Sequence, residues 1–596
     1  MDNEDSPSDS TNGVLTKPRR VSRFRAFDRL LPLFSPGERL FLYILILIFG
    51  ISAFALLAGA NASVSVTIPS RGGSLTEGEV GPVRFLNPVI AMSQADADLT
   101  ALVYSGLTRA LPDGSLVGDL AESYTISTDG MTYTFKLRPN ATFQDGQALT
   151  SADVAFTVAA AQNPDIKSPL RADWEGVVVS TPDAHTVVFK LPRAYAPFIH
   201  NTTMGILPKH LWNNVSSEEF PFSPINTHPI GTGPYQVSDV QTDSTGSVTR
   251  YDLAPFRSFA LGEPFVGRIT LLFYPNEDAM LTAFDQGRID AVAGIDPAVL
   301  KSIKRSDVQT ITTALTRVFG VFFNQSHAAV LADPAVRGAL DTAIDKQRLV
   351  EMVLSGYGVP LVGPVPPTSA SGRSHTINVA TAYTDDSIAA AQLILTKAGW
   401  KHDTATNTWT SAKGLSLSFT LATADPSELV ATANAVATAW KALGATVAVQ
   451  VYPLSDLNAT VIRPRNYDAI LFGEVVGREL DFFAFWHSSQ RNDPGLNLAL
   501  YANPQVDTLL TQARATTDTE ERQKIYDQFA TLVEKDRPAV FLYAPEFLYE
   551  VPKGLKGVSL DAISAPGERF YNVYQWYTDT ESVWSIFTDR SPDTTL

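Results

Sequence analysis

Three kinds of side chain would give this chain a chemistry of its own: cysteine thiolates, clustered histidines and paired carboxylates. The 596 residues contain no cysteine, which excludes thiolate nucleophiles, disulfides, zinc–thiolate sites and iron–sulfur clusters. The eight histidines are scattered without the paired spacing of metal ligands, so we expect neither a metal nor another cofactor. A metal site built from distant residues stays an alternative. Carboxylates are numerous, but nothing points to glycosidase chemistry.

Short motifs for nucleotide binding and hydrolysis are absent from the sequence. The patterns GxxxxGK[ST], HExxH and GxSxG do not occur, and GTGPYQ at residues 231–236 lacks the third glycine of a dinucleotide-binding loop. The formal net charge of −16 disfavours nucleic acid as the main partner, because binding to a duplex relies on basic surface. We therefore expect no nucleic-acid partner and no catalytic residues.

One segment is apolar enough to cross a membrane. Residues 40–60 are 21 residues without a charge, and a helix of about 31 Å matches a hydrocarbon core of about 30 Å. Basic residues before it predict a cytoplasmic N-terminus and an extracytoplasmic remainder. Residues 1–39 are predicted to be a disordered basic tail. Cleavage after Ala62 as a signal peptide and a buried helix of a soluble protein are the alternatives to this single-pass anchor in the lipid bilayer.

Beyond residue 62, apolar strand-like runs alternate with helical patterns, which predicts an α/β fold without repeats. One long helix is predicted from Pro334 to Gly356, after an Asp333 cap. A second helix is predicted up to Gly399, and a third from Asp518 to Pro538. Strands are predicted at TYTFKL, HTVVFKL, RITLLFY, LSLSFTLAT, TVAVQVY and AVFLYAP. A Pro/Ser/Gly-rich surface loop is predicted at residues 363–374.

These elements carry a series of segments in a fixed order. The most specific is LAESYTISTDGMTYTFKLRPNATFQDGQALTSADVAFTV at residues 120–158. It stands among FLNPVIAMSQADADLTALVYSGL, PKH, GTGPY, AFDQGRID, FFNQS, VRGALDTAID, LILTKAGW, NLALYANPQVDTLL and ERQKIYDQF with RPAVFLYAP. In this order they resemble the family 5 extracytoplasmic solute-binding proteins, the oligopeptide- and dipeptide-binding components of ABC transporters. The resemblance covers most of the chain after residue 62.

The resemblance implies an α/β, two-lobed periplasmic-binding-protein-like fold with a hinge and an inserted subdomain, here preceded by one N-terminal transmembrane helix. Ligand would be held in the cleft between the lobes, and closure of the lobes would sequester it. The implied parts are lobe 1 at residues 63–316, its subdomain at about 98–220, lobe 2 at 317–542, and a C-terminal return to lobe 1 at 543–596.

The resemblance also implies where a ligand would bind. Peptide-binding members usually carry a glycine and an aromatic residue after a strand, followed by an aspartate that pairs with the peptide's α-ammonium group. Gly473 fits the glycine, Glu474 stands at the aromatic position, and Gly477 falls where the aspartate would be. A buried ammonium needs a carboxylate, which Glu474, Glu479 or Asp481 could supply instead. Each of these acids could equally face solvent or cap the following helix. The full set of predicted ligand-binding residues is Phe322, Phe323, Asn324, Gly473, Glu474, Val475, Glu479 and Asp481.

The implied function is that of a binding protein rather than an enzyme. We expect a monomer that captures an oligopeptide or a similar small solute and delivers it to ABC transporter permease subunits. Peptide recognition through the backbone, as an added strand, leaves side-chain specificity loose. Nickel chelates, opines, sugars and haem are alternative ligands. An anchored ligand sensor and a surface hydrolase are alternative functions.

Overall fold

The structure is a computed structural model that describes residues 34–367 and 381–587. Most of the predicted N-terminal tail and the end of the predicted loop at 363–374 lie outside the described residues. The chain divides into two compact units. The terminal unit is Met1–Ile68 with Thr580–Leu596, and the main unit is Pro69–Asp579.

Helices occur in both units and are numbered here along the chain. The α-helices of the described residues are α1 Pro36–Val64, α2 Gln94–Val103, α3 Ser151–Gln162, α4 Arg171–Trp174, α5 Phe198–Asn201, α6 Lys209–Trp212, α7 Glu277–Asp285, α8 Pro334–Thr342, α9 Lys346–Val353, α10 Asp385–Lys397, α11 Ser427–Leu443, α12 Leu454–Asp456, α13 Phe483–Trp486, α14 Pro504–Ala515 and α15 Thr519–Asp536.

Strands are numbered in the same way. They are β1 Ser65–Ser70, β2 Leu75–Val80, β3 Thr108–Ala110, β4 Leu116–Gly118, β5 Ala121–Ile126, β6 Thr132–Leu137, β7 Val178–Asp183, β8 Thr186–Lys190, β9 Tyr235–Thr242, β10 Val248–Pro255, β11 Ile269–Tyr274, β12 Ala291–Ala293, β13 Val308–Leu315, β14 Arg317–Phe323, β15 Gly358–Pro360, β16 Lys401–Asp403, β17 Thr408–Thr410, β18 Ser418–Ala424, β19 Thr446–Tyr452, β20 Ala469–Val475, β21 Ala539–Pro552, β22 Ala562–Ile563 and β23 Asp579–Trp584.

The terminal unit consists of α1 and a two-stranded sheet of β1 and β23. Ser35 caps α1 and exchanges hydrogen bonds with Glu38, and Pro36 fits the first helical turn. By length and composition, the apolar part Pro36–Asn61 is one helix able to cross a membrane. The helix begins four residues before the predicted span at 40–60, because the cap lies at Ser35.

A long mixed sheet runs through the main unit. Its strand order is β19-β18-β20-β14-β21-β12-β2-β11-β10-β9, with β13, β15 and β22 joined through β21 and β13. The first half of β21 pairs with β14 and β15, and its second half pairs with β13 and β12. A single strand of 14 residues therefore links two parts of the sheet.

Two large apolar cores lie on either side of that link. One is formed by side chains between Leu75 and Leu315 and again between Phe547 and Trp576. The other is formed by side chains between Val318 and Ala544. We call these parts the first and second lobes. The chain passes between them at Thr316 and again within β21, which confirms the predicted two-lobed α/β fold.

A separate four-stranded antiparallel sheet, β5-β6-β8-β7, lies within the first lobe. Its strands contribute Tyr133, Phe135 and Phe189 to the lobe's core, where they pack near Trp174 and Phe198. Alternation of buried and exposed residues along β6 fits a sheet with one covered face. This sheet falls within the segment predicted as an inserted subdomain.

The predicted helix from Pro334 to Gly356 is wrong as one element. The structure has two helices, α8 and α9, separated by residues 343–345. Asp345 ends the first pattern because its carboxylate accepts a hydrogen bond from Arg348 N and caps α9. The predicted caps of α8 at Asp333 and of α15 at Asp518 are confirmed. All six predicted strands are present, although AVFLYAP is only the first half of β21.

Candidate functional site

Three cavities of about 600, 240 and 280 Å³ lie along the boundary between the lobes and into the first lobe. The cavities of about 600 and 240 Å³ share His200, Arg478 and Glu479 as lining residues. The second and third cavities share Ala110, Thr203 and Tyr571. Because neighbouring cavities share walls, we describe them together as the trench.

The second lobe reaches the trench through the loop of residues 476–481, which follows β20. Strand β20 is held antiparallel to β14, with Val475 opposite Arg317. The Val476 amide then donates to the Thr316 carbonyl at 3.0 Å, so the loop starts where the chain passes between lobes. Gly477 has a φ of 77°, a conformation that favours glycine and turns the chain into the trench.

Arg478 crosses from this loop to the first lobe. Its Nε lies 2.6 Å from Glu568 Oε2, and its Nη1 donates to the Leu111 carbonyl at 2.9 Å. The guanidinium carbon lies 5.4 Å from the centre of the Tyr571 ring. Both charged side chains are largely shielded from solvent, which strengthens an ion pair relative to one on an open surface. Arg478 therefore ties the two lobes together.

Glu479 makes a second contact between the lobes. Its carboxylate pairs with His200 of the first lobe. Arg522 of α15, in the second lobe, lies 3.7 Å from the same carboxylate. His200 carries charge only when protonated, whereas Arg522 is charged throughout. The carboxylate is thus held by partners from both lobes.

Asp481 makes a third contact between the lobes. Arg514 Nη2 lies 2.7 Å from its carboxylate, and the Tyr195 hydroxyl of the first lobe donates to it at 3.1 Å. The Arg514 guanidinium also lies 3.9 Å from the centre of the Phe483 ring. Close by, the Ala196 amide donates to the Arg514 carbonyl at 2.7 Å. Both predicted carboxylates of the loop are therefore already paired with cations of the protein.

Two buried hydroxyl groups in the largest cavity have no hydrogen-bond partner among the described residues. They belong to Thr316 at the lobe crossing and Tyr526 of α15. Burial raises the pKa of the Tyr526 hydroxyl, so it stays protonated and can donate. A buried polar group left without a partner costs about 1–3 kcal/mol. A ligand with donors and acceptors would remove that cost.

The cavity of about 280 Å³ contains a similar pair. Within the described residues, Asp119 Oδ1 and Thr100 Oγ1 are buried without a partner, and both residues line this cavity. The other carboxylate oxygen, Asp119 Oδ2, accepts from Arg109 Nε at 2.7 Å. The trench thus offers buried polar atoms at both ends.

A further cavity of about 480 Å³ lies at the lobe crossing and is lined by Arg317, Phe319 and Glu428. Arg317 Nε is buried without a hydrogen-bond partner in the described part of the chain. Burial lowers the pKa of Arg317, while Glu428 acts against that shift. The Glu428 carboxylate instead accepts from the Tyr543 hydroxyl at 2.9 Å. Among the described residues, Arg317 is the one basic residue in the lining of this cavity, which also contains the carboxylates of Glu277, Asp296, Glu428 and Glu546.

Glu474, one of the predicted ligand residues, lies in the core of the second lobe. Its Oε2 accepts from Trp486 Nε1 at 3.2 Å, and its Oε1 has no partner among the described residues. Burial raises the pKa of Glu474 well above its usual range. Gly473 lies against Phe319, and a Cβ there would come within 2.7 Å of the ring. Val475 is 52% exposed at the end of β20.

Phe322, Phe323 and Asn324 are also buried in the second lobe. Phe322 packs against Trp486 and Phe323 against Trp440, with ring centres 6.1 and 6.4 Å apart. Asn324 Nδ2 donates to a backbone carbonyl of its own lobe at 3.0 Å. Of the eight predicted residues, the structure brings Glu479 and Asp481 together in the trench. Ligand binding by any of the eight stays a prediction.

Sequence reasoning did not single out most of the residues that line the trench. In the sequence, Arg478 lies between the predicted residues Val475 and Glu479. Its position next to Gly477 is the sequence signal that could have identified it. His200 was one of the scattered histidines, and Tyr195, Tyr526 and Glu568 had no local pattern. These side chains meet only because the lobes come together. No cluster of three or more potential metal ligands occurs among the residues that the structure describes.

Comparisons with known proteins agree with this architecture. The family model "Bacterial extracellular solute-binding proteins, family 5 Middle" matches residues 115–494. The oligopeptide-binding protein AppA of Bacillus subtilis is 27% identical over 87% of this chain and 94% of its own length.

Two solved structures show the same fold. AppA of Bacillus subtilis in complex with a nonapeptide has a TM-score of 0.64 at 27% identity, covering 86% of this chain and 99% of that one. NikZ of Campylobacter jejuni in complex with Ni(L-His) also has a TM-score of 0.64, at 26% identity, covering 85% and 99%. With the family model matching well over half of the residues, the chain belongs to family 5 of the bacterial extracellular solute-binding proteins, the solute-binding components of ABC transporters.

Proposed function

We propose that this protein captures short peptides in the trench, encloses them by closure of the two lobes, and delivers them to an ABC import permease. The observation that carries the proposal is a contrast within the trench. Its charged side chains pair with one another, whereas the buried hydroxyls of Thr316 and Tyr526 have no hydrogen-bond partner among the described residues. A site of this kind suits a ligand rich in amide donors and acceptors. The largest cavity, about 600 Å³, is within the range that encloses drug-sized ligands.

We place the carboxylate end of the proposed ligand in the separate cavity at the lobe crossing, where Arg317 follows Thr316 of the trench by one residue. A peptide ends in a carboxylate, and a buried guanidinium is a strong partner for such a group. Arg317 Nε has no hydrogen-bond partner in the described chain. The carboxylates of the 476–481 loop hold protein cations instead, so we do not assign the α-ammonium contact to either of them.

The lobe boundaries are proposed at residues 316 and 542, with 543–596 returning to the first lobe. The change of core between Leu315 and Val318 supports the first boundary, and the change between Ala544 and Phe547 falls a few residues after the second. Residues 40–60 are proposed to anchor the protein in the membrane, with the N-terminus in the cytoplasm. Support for the anchor is the exposed apolar helix α1 and the basic cluster that precedes it.

The relatives set the ligand classes to be distinguished. AppA of Bacillus subtilis is described with a nonapeptide and NikZ of Campylobacter jejuni with a nickel–histidine complex. Mass spectrometry of small molecules released by denaturing the native protein tests the proposal directly. Peptides of narrow length would support it, whereas a metal chelate or another non-peptide solute would contradict it.

The role of Arg317 is tested by titrating a recovered peptide and its C-terminal amide into the protein in a calorimeter. The amide should bind more weakly than the free acid, and the difference should disappear in Arg317→Gln. Equal affinities for acid and amide in the unaltered protein would place the carboxylate elsewhere.

A further inference from the structure

The C-terminal end of the chain returns to the outer end of α1 within the terminal unit. Strand β23, near the C-terminus, pairs with β1, which begins at the residue after the helix. Trp584 Nε1 donates to Asn61 Oδ1 at 2.6 Å. Two segments more than 500 residues apart in sequence therefore meet at one end of the apolar helix.

Apolar side chains are exposed at this junction, together with the polar residues 579–582 of β23. Trp584 is 48% exposed and Ile586 is 76% exposed, and Val64 and Val66 of the same unit are also exposed. Asn61 is the first residue after the uncharged run at 40–60, and each helical residue adds about 1.5 Å of rise. An indole bonded to Asn61 is therefore placed within a few ångströms of the end of the span.

We propose that residues 579–587 form a lipid-docking segment, with Trp584 and Ile586 inserted at the membrane–water interface on the extracytoplasmic side. The inference rests on the anchor at 40–60 proposed above. Trp side chains favour this interface because the ring is apolar and its N–H keeps a polar partner. Here Asn61 supplies that partner, so the indole can enter the interface without leaving its donor unpaired.

The charge of the segment decides which lipids it would contact. Residues 65–70 and 579–587 contain Asp579 and Glu581 but no lysine or arginine. Attraction to anionic headgroups needs basic side chains, so docking here depends on apolar and aromatic contact. The segment should therefore dock on zwitterionic phosphatidylcholine without any anionic lipid.

The absence of native cysteine allows single labels to test this in the full chain. Three variants are made, Leu47→Cys within the span, Ile586→Cys in the docking segment and Val178→Cys on exposed β7 of the main unit. Each is coupled to an environment-sensitive fluorophore and reconstituted in phosphatidylcholine nanodiscs with nitroxide-labelled lipid. Labels at 47 and 586 should be quenched by lipid, the label at 586 most strongly by headgroup-proximal nitroxide, and the label at 178 should not be quenched.

A further variant separates docking from simple nearness to the membrane. Trp584→Ser on the Ile586→Cys background should reduce quenching at 586 and leave quenching at 47 unchanged. Quenching at 47 without quenching at 586 would overturn the docking segment and leave the anchor standing. No quenching at either position would overturn both. A label at 586 that is shielded from water but insensitive to lipid nitroxide would show that protein, rather than lipid, covers the segment.

Discussion

At the scale of single residues, the clearest sign of a ligand is the pair of hydroxyls on Thr316 and Tyr526, which have no hydrogen-bond partner among the described residues. Native proteins pair nearly all buried polar groups, and both residues line the largest cavity. Their chemistry is neutral, in contrast to the charged loop beside them. This favours recognition of amide groups over recognition of a net charge.

Tyr526→Phe and Thr316→Val should each weaken peptide binding by about 0.5–1.5 kcal/mol, because each removes one hydrogen bond to the ligand. Neither variant should lower the free energy of unfolding measured without ligand, because the lost hydroxyl has no hydrogen-bond partner among the described residues. Calorimetric titration and thermal unfolding measure the two effects.

Tyr467→Phe is the matched control for those variants. Its buried hydroxyl donates to the Leu498 carbonyl at 2.6 Å, away from the trench. That variant should lose stability and keep its affinity. Unchanged affinity in both Tyr526→Phe and Thr316→Val would contradict the assignment of these hydroxyls to the ligand.

Glu474 predicts a pH dependence of stability. Its folded pKa is raised above an unfolded value of about 4.3, so the fold favours the protonated carboxyl. The contribution of Glu474 to the free energy of unfolding should therefore fall as pH rises above about 4.3, by up to about 1.4 kcal/mol per pH unit, until the folded pKa is passed.

Glu474→Gln should remove that contribution. The difference between the variant and the unaltered protein in urea unfolding should therefore grow in the variant's favour as pH rises. A constant difference between Glu474→Gln and the unaltered protein across pH would contradict the shift.

At the scale of elements, the 476–481 loop has two structural roles that are not evident from its sequence. It lines the trench, and it bridges the lobes through Arg478, Glu479 and Asp481. Each bridge joins protein groups of the two lobes. The population of the closed form therefore depends on the loop as well as on the ligand.

Arg478→Met should shift the empty protein toward an open form, because it leaves Glu568 without its cross-lobe partner. The radius of gyration measured by X-ray scattering should increase, and the apparent affinity should fall with the closed fraction. Arg250→Met removes an arginine that pairs with Asp252 inside the first lobe at 2.9 Å. This control should leave both quantities unchanged. An unaltered radius in Arg478→Met would show that the bridge does not set closure.

At the scale of the whole molecule, one fully buried arginine joins distant parts of the first lobe. Arg569 contacts the carboxylates of Glu77, Glu79 and Asp98 at 2.7, 2.5 and 2.6 Å. Burial and the neighbouring Asp98 raise the pKa of Glu79 well above its usual range, which favours the protonated form of that carboxyl. A protonated Glu79 lowers the net negative charge of the cluster formed by Arg569 and its three acidic partners.

Arg569→Met should lower the free energy of unfolding by about 3–5 kcal/mol, because it strands buried carboxylates without a cation. Glu79→Gln is the matched change, since it replaces a protonated acid with a neutral amide of the same shape. It should cost far less than Arg569→Met in urea unfolding. Comparable losses in the two variants would show that Glu79 is ionised in the fold.

Much of the fold was predictable because its signals are local. Hydrophobic alternation, caps such as Asp518 and turn glycines act over a few residues, and the strands and most helices followed from them. The break at Asp345 shows the limit. Helical periodicity continues across it, and a competing cap decides the outcome.

The site was less predictable. The resemblance, which is spread over many sequence segments, identified the part of the chain that contains the site. Of the predicted residues, only Glu479 and Asp481 line the trench. Phe322 and Phe323 stand next to the crossing in sequence, yet they are buried in the core. Position near a crossing does not fix the direction in which a side chain points.

The α/β class, the apolar segment at 40–60, the absence of cysteine chemistry and the family can all be read from the sequence, because each depends on composition or on short ordered patterns. Which charges meet depends on the tertiary structure. Arg478 with Glu568, Glu479 with His200 and Trp584 with Asn61 are separated by tens to hundreds of residues. Such pairs form when packed cores bring surfaces together, and no local pattern encodes that meeting.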